Sequence, residues 1–268
     1  EFVNKMMENK WLGSKTGQGF YKKEGKDILT LDLDTLEYRA NKKASFATLE
    51  LTKTIEKPID RFKVLVTGKD KAGDFYRKNF ASMFQYCSNR IPEITDAFYK
   101  IDDAMKAGFG WENGPFEIWD AIGIEKGIEL MKAEGYQPAS WVTDMLASGN
   151  TSFYSIKDGA THFYSITNKK VEKIPGQDAF IILNNIRESK KIWNNSDAII
   201  TDLGDGIINL EFTSKMNSIG AGVLQGINKA IDIAEKDYNG LVIGNQGANF
   251  SVGANLGMIF MMAVEQEY

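Results

Sequence analysis

Apolar side chains recur at helical spacing along the stretch from Tyr76 to Met105. Their steps of three and four residues place them on one face of a helix. Pro92 lies inside this pattern and predicts a kink or a break between Ser88 and Pro92, because proline cannot donate the hydrogen bond of a helix interior. The apolar positions between the two ends are Phe80, Met83, Phe84, Cys87, Ile91, Ile94, Phe98 and Ile101.

A shorter helix is predicted after a pair of glycines. Gly108 and Gly110 predict the end of the preceding helix. Pro115 predicts a new start, because its fixed φ angle suits the first helical turn. The side chains expected in the core at this point are those of Trp111, Phe116, Trp119 and Ile122.

Two segments alternate between apolar and polar residues, which predicts β-hairpins. Within residues 24–40, the stretch ILTLDLDTLEYRA alternates around Asp34. Within residues 160–175, the stretch HFYSITNKKVEKI has turn-forming residues at Asn168 and Lys169. Residues 45–67 have a helical pattern, in which Pro58 opens a second short helix.

An internal repeat links two distant parts of the chain. The stretches MMENKWLGSKTGQGFYKKEGK and MLASGNTSFYSIKDGATHFYSITNKK share a helix end, a Lys-x-Gly turn, an aromatic pair and a hairpin. This alignment pairs Lys15–Gly17 with Lys157–Gly159, and Phe20–Tyr21 with Phe163–Tyr164. We interpret the two stretches as the ends of two related helical units. Two coincidentally similar turns are the alternative.

After Asn194 the pattern becomes that of an α/β unit. The stretch DAIITDLGDGIINLEF predicts two strands joined through Gly204–Gly206, followed by a helix over residues 219–238. The short apolar run GLVIG predicts a buried parallel strand, which completes a right-handed βαβ unit. The glycine-rich stretch GNQGANFSVGANLGM, residues 244–258, follows that strand, at the end where ligands bind in parallel α/β structures. The apolar run MIFMMAV, residues 258–264, predicts a buried helical segment.

Composition excludes several classes of protein. A net charge of −4 argues against nucleic acid or an anionic membrane as partner, and no apolar run reaches the roughly 18 residues of a membrane span. Cys87 is the single cysteine, which excludes an internal disulfide and indicates a reducing compartment, so the cytoplasm is expected. The first residues, Glu-Phe, suggest a piece of a longer protein.

The glycine-rich loop has the composition of an anion site. Bare backbone N–H groups at the start of a helix can stabilise a carbonyl oxygen that gains negative charge. A glycine-rich crossover without a ligand is the alternative. The stretch GAGVLQG, residues 220–226, imitates a dinucleotide fingerprint but does not directly follow a strand. His162, the only histidine, is expected to be a surface or structural residue, and no metal site is expected.

The loop and the elements before it resemble the opening ββαβ unit of the crotonase (enoyl-CoA hydratase/isomerase) superfamily, over residues 198–258. That superfamily has a loop similar to F-S-A-G-A-D-L, where this chain has FSVGANL. The resemblance implies that the backbone N–H of Ala254 is one oxyanion-hole donor. It also implies that a coenzyme A thioester substrate lies along Phe250, Ser251, Val252 and Gly253. Asn255 stands where the superfamily has Asp, and the second donor and the acid/base carboxylates are expected beyond the end of this chain.

A second resemblance covers most of the remaining chain. Residues 89–122, with the core AMKAGFGWENGPF, and the stretch LGSKTGQGFY are similar to the C-terminal helical domain of 3-hydroxyacyl-CoA dehydrogenases. Larger members of that family carry two copies of this helical unit. The resemblance implies that NAD and a catalytic His–Glu pair belong to a preceding domain. Asn89–Arg90 matches a family dipeptide of the substrate cleft, but it lies in the second unit and is not expected to bind substrate.

Together these patterns predict a mostly α fold with β-hairpins, followed by a partial α/β unit. The expected domains are residues 1–70 (the tail of a first helical repeat with connecting helices), 71–195 (a second repeat) and 196–268 (the start of a crotonase-like domain). The expected parent is a bifunctional 3-hydroxyacyl-CoA dehydrogenase and enoyl-CoA hydratase of fatty-acid β-oxidation, dimeric through its helical domain. The chain alone is expected to be inactive. A non-catalytic dimerisation scaffold with a degenerate crotonase remnant is the alternative.

Overall fold

The structure is a computed structural model that describes residues 2–55 and 57–265. The chain divides into two compact units, residues 1–76 and 77–268. The boundary falls inside one long helix, Lys71–Asn89. The sequence-based domain limits at residues 70 and 195 stay a prediction, and residues 266–268 of the third predicted domain lie outside the described residues.

The first unit combines short helices with a small antiparallel sheet. The sheet has the order β1-β2-β3, and its second hairpin is the one predicted around Asp34. Pro58 opens α3, as the sequence predicts. The elements are α1 (Phe2–Glu8), β1 (Tyr21–Glu24), β2 (Asp27–Leu31), β3 (Tyr38–Ala40), α2 (Ala47–Thr52), α3 (Pro58–Thr67) and the start of α4 (Lys71–Asn89).

The helices of the second unit confirm the predicted break and restart. The helix α4 ends at Asn89, and the next helix begins only at Tyr99. Gly110 follows that helix with a left-handed φ of 66°, a conformation that favours glycine. The restart at Pro115 is also found. These helices are α5 (Tyr99–Phe109), α6 (Pro115–Ile122), α7 (Ile124–Ala133) and α8 (Ser140–Ala147).

An aromatic core holds these helices together. Trp119 is fully buried, stacks on Phe84 with ring centroids 4.7 Å apart, and donates its indole N–H to the carbonyl oxygen of Ile124 at 3.1 Å. Trp111, which the sequence placed in the core, is 39% exposed. That expectation was wrong because Trp111 lies in the loop after α5, beyond the buried face of the helix. The buried aromatic residues around Trp119 are Phe84, Phe98, Phe116, Trp141 and Phe153.

The internal repeat is present, but its alignment differs from the sequence interpretation. The second unit has its own three-stranded antiparallel sheet, with strands β4 (Tyr154–Lys157), β5 (Ala160–Ser165) and β6 (Lys170–Lys173). Leu31 N–H donates to Phe20 O at 2.9 Å, and Tyr164 N–H donates to Phe153 O at 3.0 Å. Phe20 therefore corresponds to Phe153 rather than to Phe163.

The α/β part forms a four-stranded sheet in the order β10-β9-β8-β7. The helix α10 packs on one face of this sheet, over the buried residues Ala198, Ile200, Ile208, Leu210 and Phe212. The strand β7 was not anticipated from the sequence. The elements are α9 (Leu183–Lys190), β7 (Lys191–Asn194), β8 (Ala198–Gly204), β9 (Ile207–Phe212), α10 (Ala221–Asp237), β10 (Gly240–Ile243) and α11 (Leu256–Glu265).

Two burial predictions for this part were wrong. The strand β10 is parallel to β9, as predicted, but it lies at the edge of the sheet, so Val242 and Ile243 are exposed. The run at residues 258–264 forms most of α11, as a helix, yet no residue of α11 is buried. Within the described part of the chain, both elements therefore carry exposed apolar side chains.

Candidate functional site

The glycines of α10 serve close packing. A Cβ atom at Gly226 would lie 2.7 Å from Cβ of Ala198, and one at Gly222 would lie 2.2 Å from a carboxylate oxygen of Asp197. Side chains at these positions would push α10 away from the start of β8. All of the stretch GAGVLQG except Gly220 lies in α10, and close packing accounts for Gly222 and Gly226 without a nucleotide.

The loop of residues 244–255, here called the glycine loop, begins directly after β10. Asn245 anchors it, because its Oδ1 accepts the backbone N–H of Phe212 at 2.7 Å and its Nδ2 donates to the carbonyl oxygen of Phe250 at 2.6 Å. The loop is thereby tied to the end of β9. The next residue, Gln246, ties it to the chain before α9.

Ser251, a predicted substrate-binding residue, holds the loop in shape. Its hydroxyl donates to the carbonyl oxygen of Asn217 at 2.6 Å and accepts the N–H of Gly253 at 3.0 Å. Gly253 has a φ of 91°, which favours glycine on conformational grounds. Both residues therefore have structural roles within the loop, and a role in binding substrate stays a prediction.

The backbone N–H of Ala254 makes no hydrogen bond within the described part of the chain. Ala254 forms a parallel bridge with Ile219, in which Ile219 N–H donates to Gly253 O and Asn255 N–H donates to Ile219 O, both at 2.9 Å. Because the bonds of a parallel bridge alternate in direction along the strand, the N–H of Ala254 itself points away from Ile219. Within residues 2–55 and 57–265, this N–H has no acceptor.

The amide of Ala254 also lies just before the N-terminus of α11. The side chain of Asn255 caps this helix, since its Oδ1 accepts the N–H of Met258 at 3.2 Å. Asn and Asp cap helices comparably well. An Asp at position 255 would therefore cap α11 about as well as Asn255 does. The partial positive charge of the helix N-terminus favours an anion beside Ala254.

Apolar side chains flank this donor. Phe250 and Val252 are more than half exposed, and the ring of Phe250 lies 5.8 Å from that of Phe212. No Asp, Glu, Lys, Arg or His occurs from Tyr238 to Val264. The polar groups of the glycine loop are therefore backbone groups, neutral amides and the hydroxyl of Ser251, and the loop supplies no acidic or basic side chain for proton transfer.

A second group of functional interest, which the sequence did not reveal, lies in the helical part of the second unit, from α4 to β6. The carboxylate of Asp102 is buried and accepts the backbone N–H groups of Phe116 and Glu117 at 2.9 and 3.1 Å. It also accepts the hydroxyl of Tyr154 at 2.8 Å. Burial raises the pKa of Asp102 to about 7, and the hydrogen bond from Phe116 opposes this shift. Asp102 caps α6 from a neighbouring helix, which is a structural role.

Other candidates have structural partners. His162 lies in β5, with its Nδ1 3.1 Å from the carbonyl oxygen of Ala160. Burial raises the pKa of the Cys87 thiol to about 11, which keeps it protonated at neutral pH. Across residues 2–55 and 57–265, no three His, Cys, Asp or Glu side chains form a metal-binding group. None of the described helices has the length and apolar character needed to cross a membrane.

Comparison with known proteins gives matches along the whole chain. It is 42% identical over 268 residues to a Bacillus subtilis protein named "Probable 3-hydroxyacyl-CoA dehydrogenase". It is 25% and 26% identical to proteins of Rickettsia felis and Rickettsia prowazekii that carry the name fatty acid oxidation complex trifunctional enzyme, with 96% of the chain covered in each case. No family model and no solved structure matches.

The matched region is one part of each relative. The chain makes up 34% of the Bacillus subtilis protein and 32% of each Rickettsia protein. The chain is therefore similar, along its full length, to about a third of proteins named for 3-hydroxyacyl-CoA dehydrogenation and for fatty acid oxidation.

Proposed function

We propose that this chain is part of a β-oxidation enzyme that oxidises 3-hydroxyacyl-CoA with NAD and hydrates 2-enoyl-CoA. The names of the full-length relatives support the dehydrogenase part. The hydratase part rests on one observation, the unpaired backbone N–H of Ala254 at the N-terminus of α11.

In the proposed hydration, the thioester carbonyl of the 2-enoyl-CoA accepts the N–H of Ala254. The carbonyl oxygen gains negative charge as water adds to the double bond, and a fixed N–H donor stabilises that charge. The N-terminus of α11 adds a favourable field. Phe250 and Val252 supply apolar contacts for the rest of the coenzyme A ester.

The described residues do not fit the NAD that the proposed dehydrogenation needs. In residues 220–226, the stretch with nucleotide-like glycines, Gly222 packs against Asp197 and Gly226 packs against Ala198. In this proposal NAD is bound outside residues 2–265. No step of the oxidation is assigned to a residue of this chain.

The proposal predicts that the 268-residue chain alone catalyses neither reaction. Ala254 is an exposed residue, whereas an oxyanion site needs two donors in a water-free environment. One missing donor costs about 10²–10³-fold, and a missing positioned acid or base about 10²–10⁴-fold. The assays supply crotonyl-CoA, or 3-hydroxybutyryl-CoA with NAD, and follow the change in absorbance.

The matched control for these assays is the same chain after heat denaturation. Turnover that exceeds the control and stays with the protein through further purification would show that the chain carries a complete site. A complete site would contradict the proposal that Ala254 supplies one oxyanion donor while the second donor lies outside this chain.

A scaffold role is the second candidate function. It is favoured by a groove of about 580 Å³ between α4 and α5 that exposes Tyr86 and Ile94. In this alternative the helical part joins two copies of the protein and the glycine loop binds nothing. Binding of crotonyl-CoA at the glycine loop would favour the enzyme function, and absence of binding would favour the scaffold.

A further inference from the structure

The side chain of Gln246 recognises the backbone of the segment before α9. Its Oε1 accepts the N–H of Leu183 at 2.7 Å, and its Nε2 donates to the carbonyl oxygen of Ile181 at 2.5 Å. One carboxamide thus pairs with two backbone groups of an extended segment, as a neighbouring strand would. Leu183 is the first residue of α9, where backbone N–H groups have no partner within the helix.

The helix α9 is itself held at two further places. Asn185 donates from its Nδ2 to Gly159 O at 3.3 Å and to Thr161 Oγ1 at 2.8 Å, which fixes α9 to the β4–β5 hairpin. Arg187 pairs with the buried carboxylate of Glu211 on β9, with N–O distances of 2.8 and 2.5 Å. The helix therefore bridges the helical part and the α/β sheet.

Gln246 connects this bridge to the glycine loop. The adjacent Asn245 joins the same loop to β9, so two consecutive amides fasten the loop to α9 and to the sheet. The three elements β9, the glycine loop and α9 form a closed ring of hydrogen bonds. The bridge between Ile219 and Ala254 lies at the other end of the same loop.

We propose that Gln246 is a positioning residue that couples the order of the glycine loop to the order of the segment before α9. The functional role of this coupling rests on the proposed function. Only if the glycine loop binds an acyl-CoA ester does the coupling link ligand binding to the helical part. Coupling between two sites is reciprocal. A ligand bound at Ala254 would therefore slow the local opening that exposes the Leu183 N–H. Loss of the Gln246 hydrogen bonds would weaken binding of that ligand.

The test is amide hydrogen exchange of the 268-residue chain, compared between wild type and Gln246→Met. Methionine keeps the length of the side chain and removes both hydrogen bonds. The coupling predicts that exchange accelerates about tenfold or more at the N–H of Leu183 and, at the far end of the loop, at those of Ile219 and Asn255. The control is Asn249→Ala, which removes a loop amide whose side chain makes no hydrogen bond to a described residue.

Faster exchange at Leu183 with unchanged exchange at Ile219 and Asn255 would overturn the proposal, because Gln246 would then be only a local cap. Unchanged exchange at all three amides, or equal acceleration in Asn249→Ala, would overturn it as well. Unfolding curves of both variants exclude general destabilisation as the cause of faster exchange.

A second arm adds crotonyl-CoA and tests the link to function. We expect slower exchange at Leu183 in wild type and about fivefold weaker crotonyl-CoA binding in Gln246→Met. If wild type does not bind crotonyl-CoA, the proposed function fails, while the ligand-free exchange still decides whether Gln246 couples loop and segment. If wild type binds it and Gln246→Met binds it equally well, the coupling is refuted and the proposed function stands.

Discussion

Trp119 is fully buried in the aromatic core, where it stacks on Phe84 and donates a hydrogen bond to the carbonyl oxygen of Ile124. Trp119 was predicted in the core because it lies on the apolar face of a short helix with a clear start at Pro115. Asp102 was not recognised, because its partner Tyr154 is 52 residues away and helical spacing carries no information on such distant contacts. Trp111 was misplaced because an aromatic residue in a loop has no periodicity from which burial can be judged.

Replacement of Trp119 by alanine tests the aromatic core. We expect Trp119→Ala to lower the free energy of unfolding by about 3–5 kcal/mol, through lost apolar burial and the cavity left behind. Trp111→Ala, at a partly exposed position, is the matched control and should cost far less. Denaturant unfolding of both variants measures the difference. Equal midpoints for Trp119→Ala and wild type would mean that the observed packing is wrong.

The stability of the protein should depend on pH through Asp102. Its pKa is raised from 3.8 to about 7 in the folded state, with burial as the main cause. The neutral form therefore stabilises the fold fully below pH 3.8, and this contribution is lost as the pH rises to about 7. Each pKa unit corresponds to about 1.4 kcal/mol. Burial also raises the pKa of Asp120, to about 6. Asp120 therefore lowers the free energy of unfolding further as the pH rises.

The variant Asp102→Asn isolates this contribution. Asparagine does not titrate, so the fall in unfolding free energy between pH 4 and pH 7 should be smaller than in wild type. The absolute stability of the variant will be lower, because an amide cannot accept every hydrogen bond that the carboxylate accepts. The relevant quantity is the slope against pH. An identical slope in the two proteins would show that Asp102 has an ordinary pKa.

At the scale of elements, helix starts and stops were predictable and burial was not. Pro58, Pro115 and Gly110 set local backbone angles, so the sequence reveals them directly. The strand β10 and the helix α11 have apolar sequences but exposed surfaces. Composition predicts an apolar surface without revealing whether anything covers it.

The repeat illustrates a second limit at this scale. Aromatic pairs occur at the start of β1 and at both β4 and β5, so a motif match alone could not choose the register. The corresponding backbone hydrogen bonds of Leu31 and Tyr164 decide it. The equivalent residues differ in burial, since Phe20 is 53% exposed and Phe153 is 1% exposed.

Close packing of α10 on the sheet depends on Gly226. We expect Gly226→Ala to destabilise the protein by about 1–3 kcal/mol, because the added methyl group meets Ala198 in a filled interior. Gly108→Ala in α5 is the matched control, since no atom lies within 4 Å of its added methyl. It should be neutral or stabilise by up to about 1 kcal/mol. Thermal unfolding measures both changes in stability. Equal changes for the two substitutions would contradict this packing.

At the scale of the whole molecule, the helical part is proposed to pair with a second copy. The groove between α4 and α5 leaves Tyr86 and Ile94 exposed beside the half-buried Ile101 and Met105, an apolar surface of the kind that marks interfaces. Sedimentation equilibrium at micromolar concentrations should show a monomer–dimer equilibrium. Ile94→Glu should abolish it without loss of fold. A monomer at every concentration would refute the pairing.

The central claim is that the N–H of Ala254 binds the carbonyl oxygen of an acyl-CoA ester. Its most direct test is the backbone amide resonance of Ala254 in ¹⁵N-alanine-labelled protein, followed as crotonyl-CoA is added. The amides of Ala248, in the same loop, and of Ala230, in the core of the α/β part, are internal controls. We expect Ala254 to shift strongly downfield with crotonyl-CoA, less with coenzyme A, and more than either control. An Ala254 resonance that stays in place, or moves no more than that of Ala230, would contradict the account.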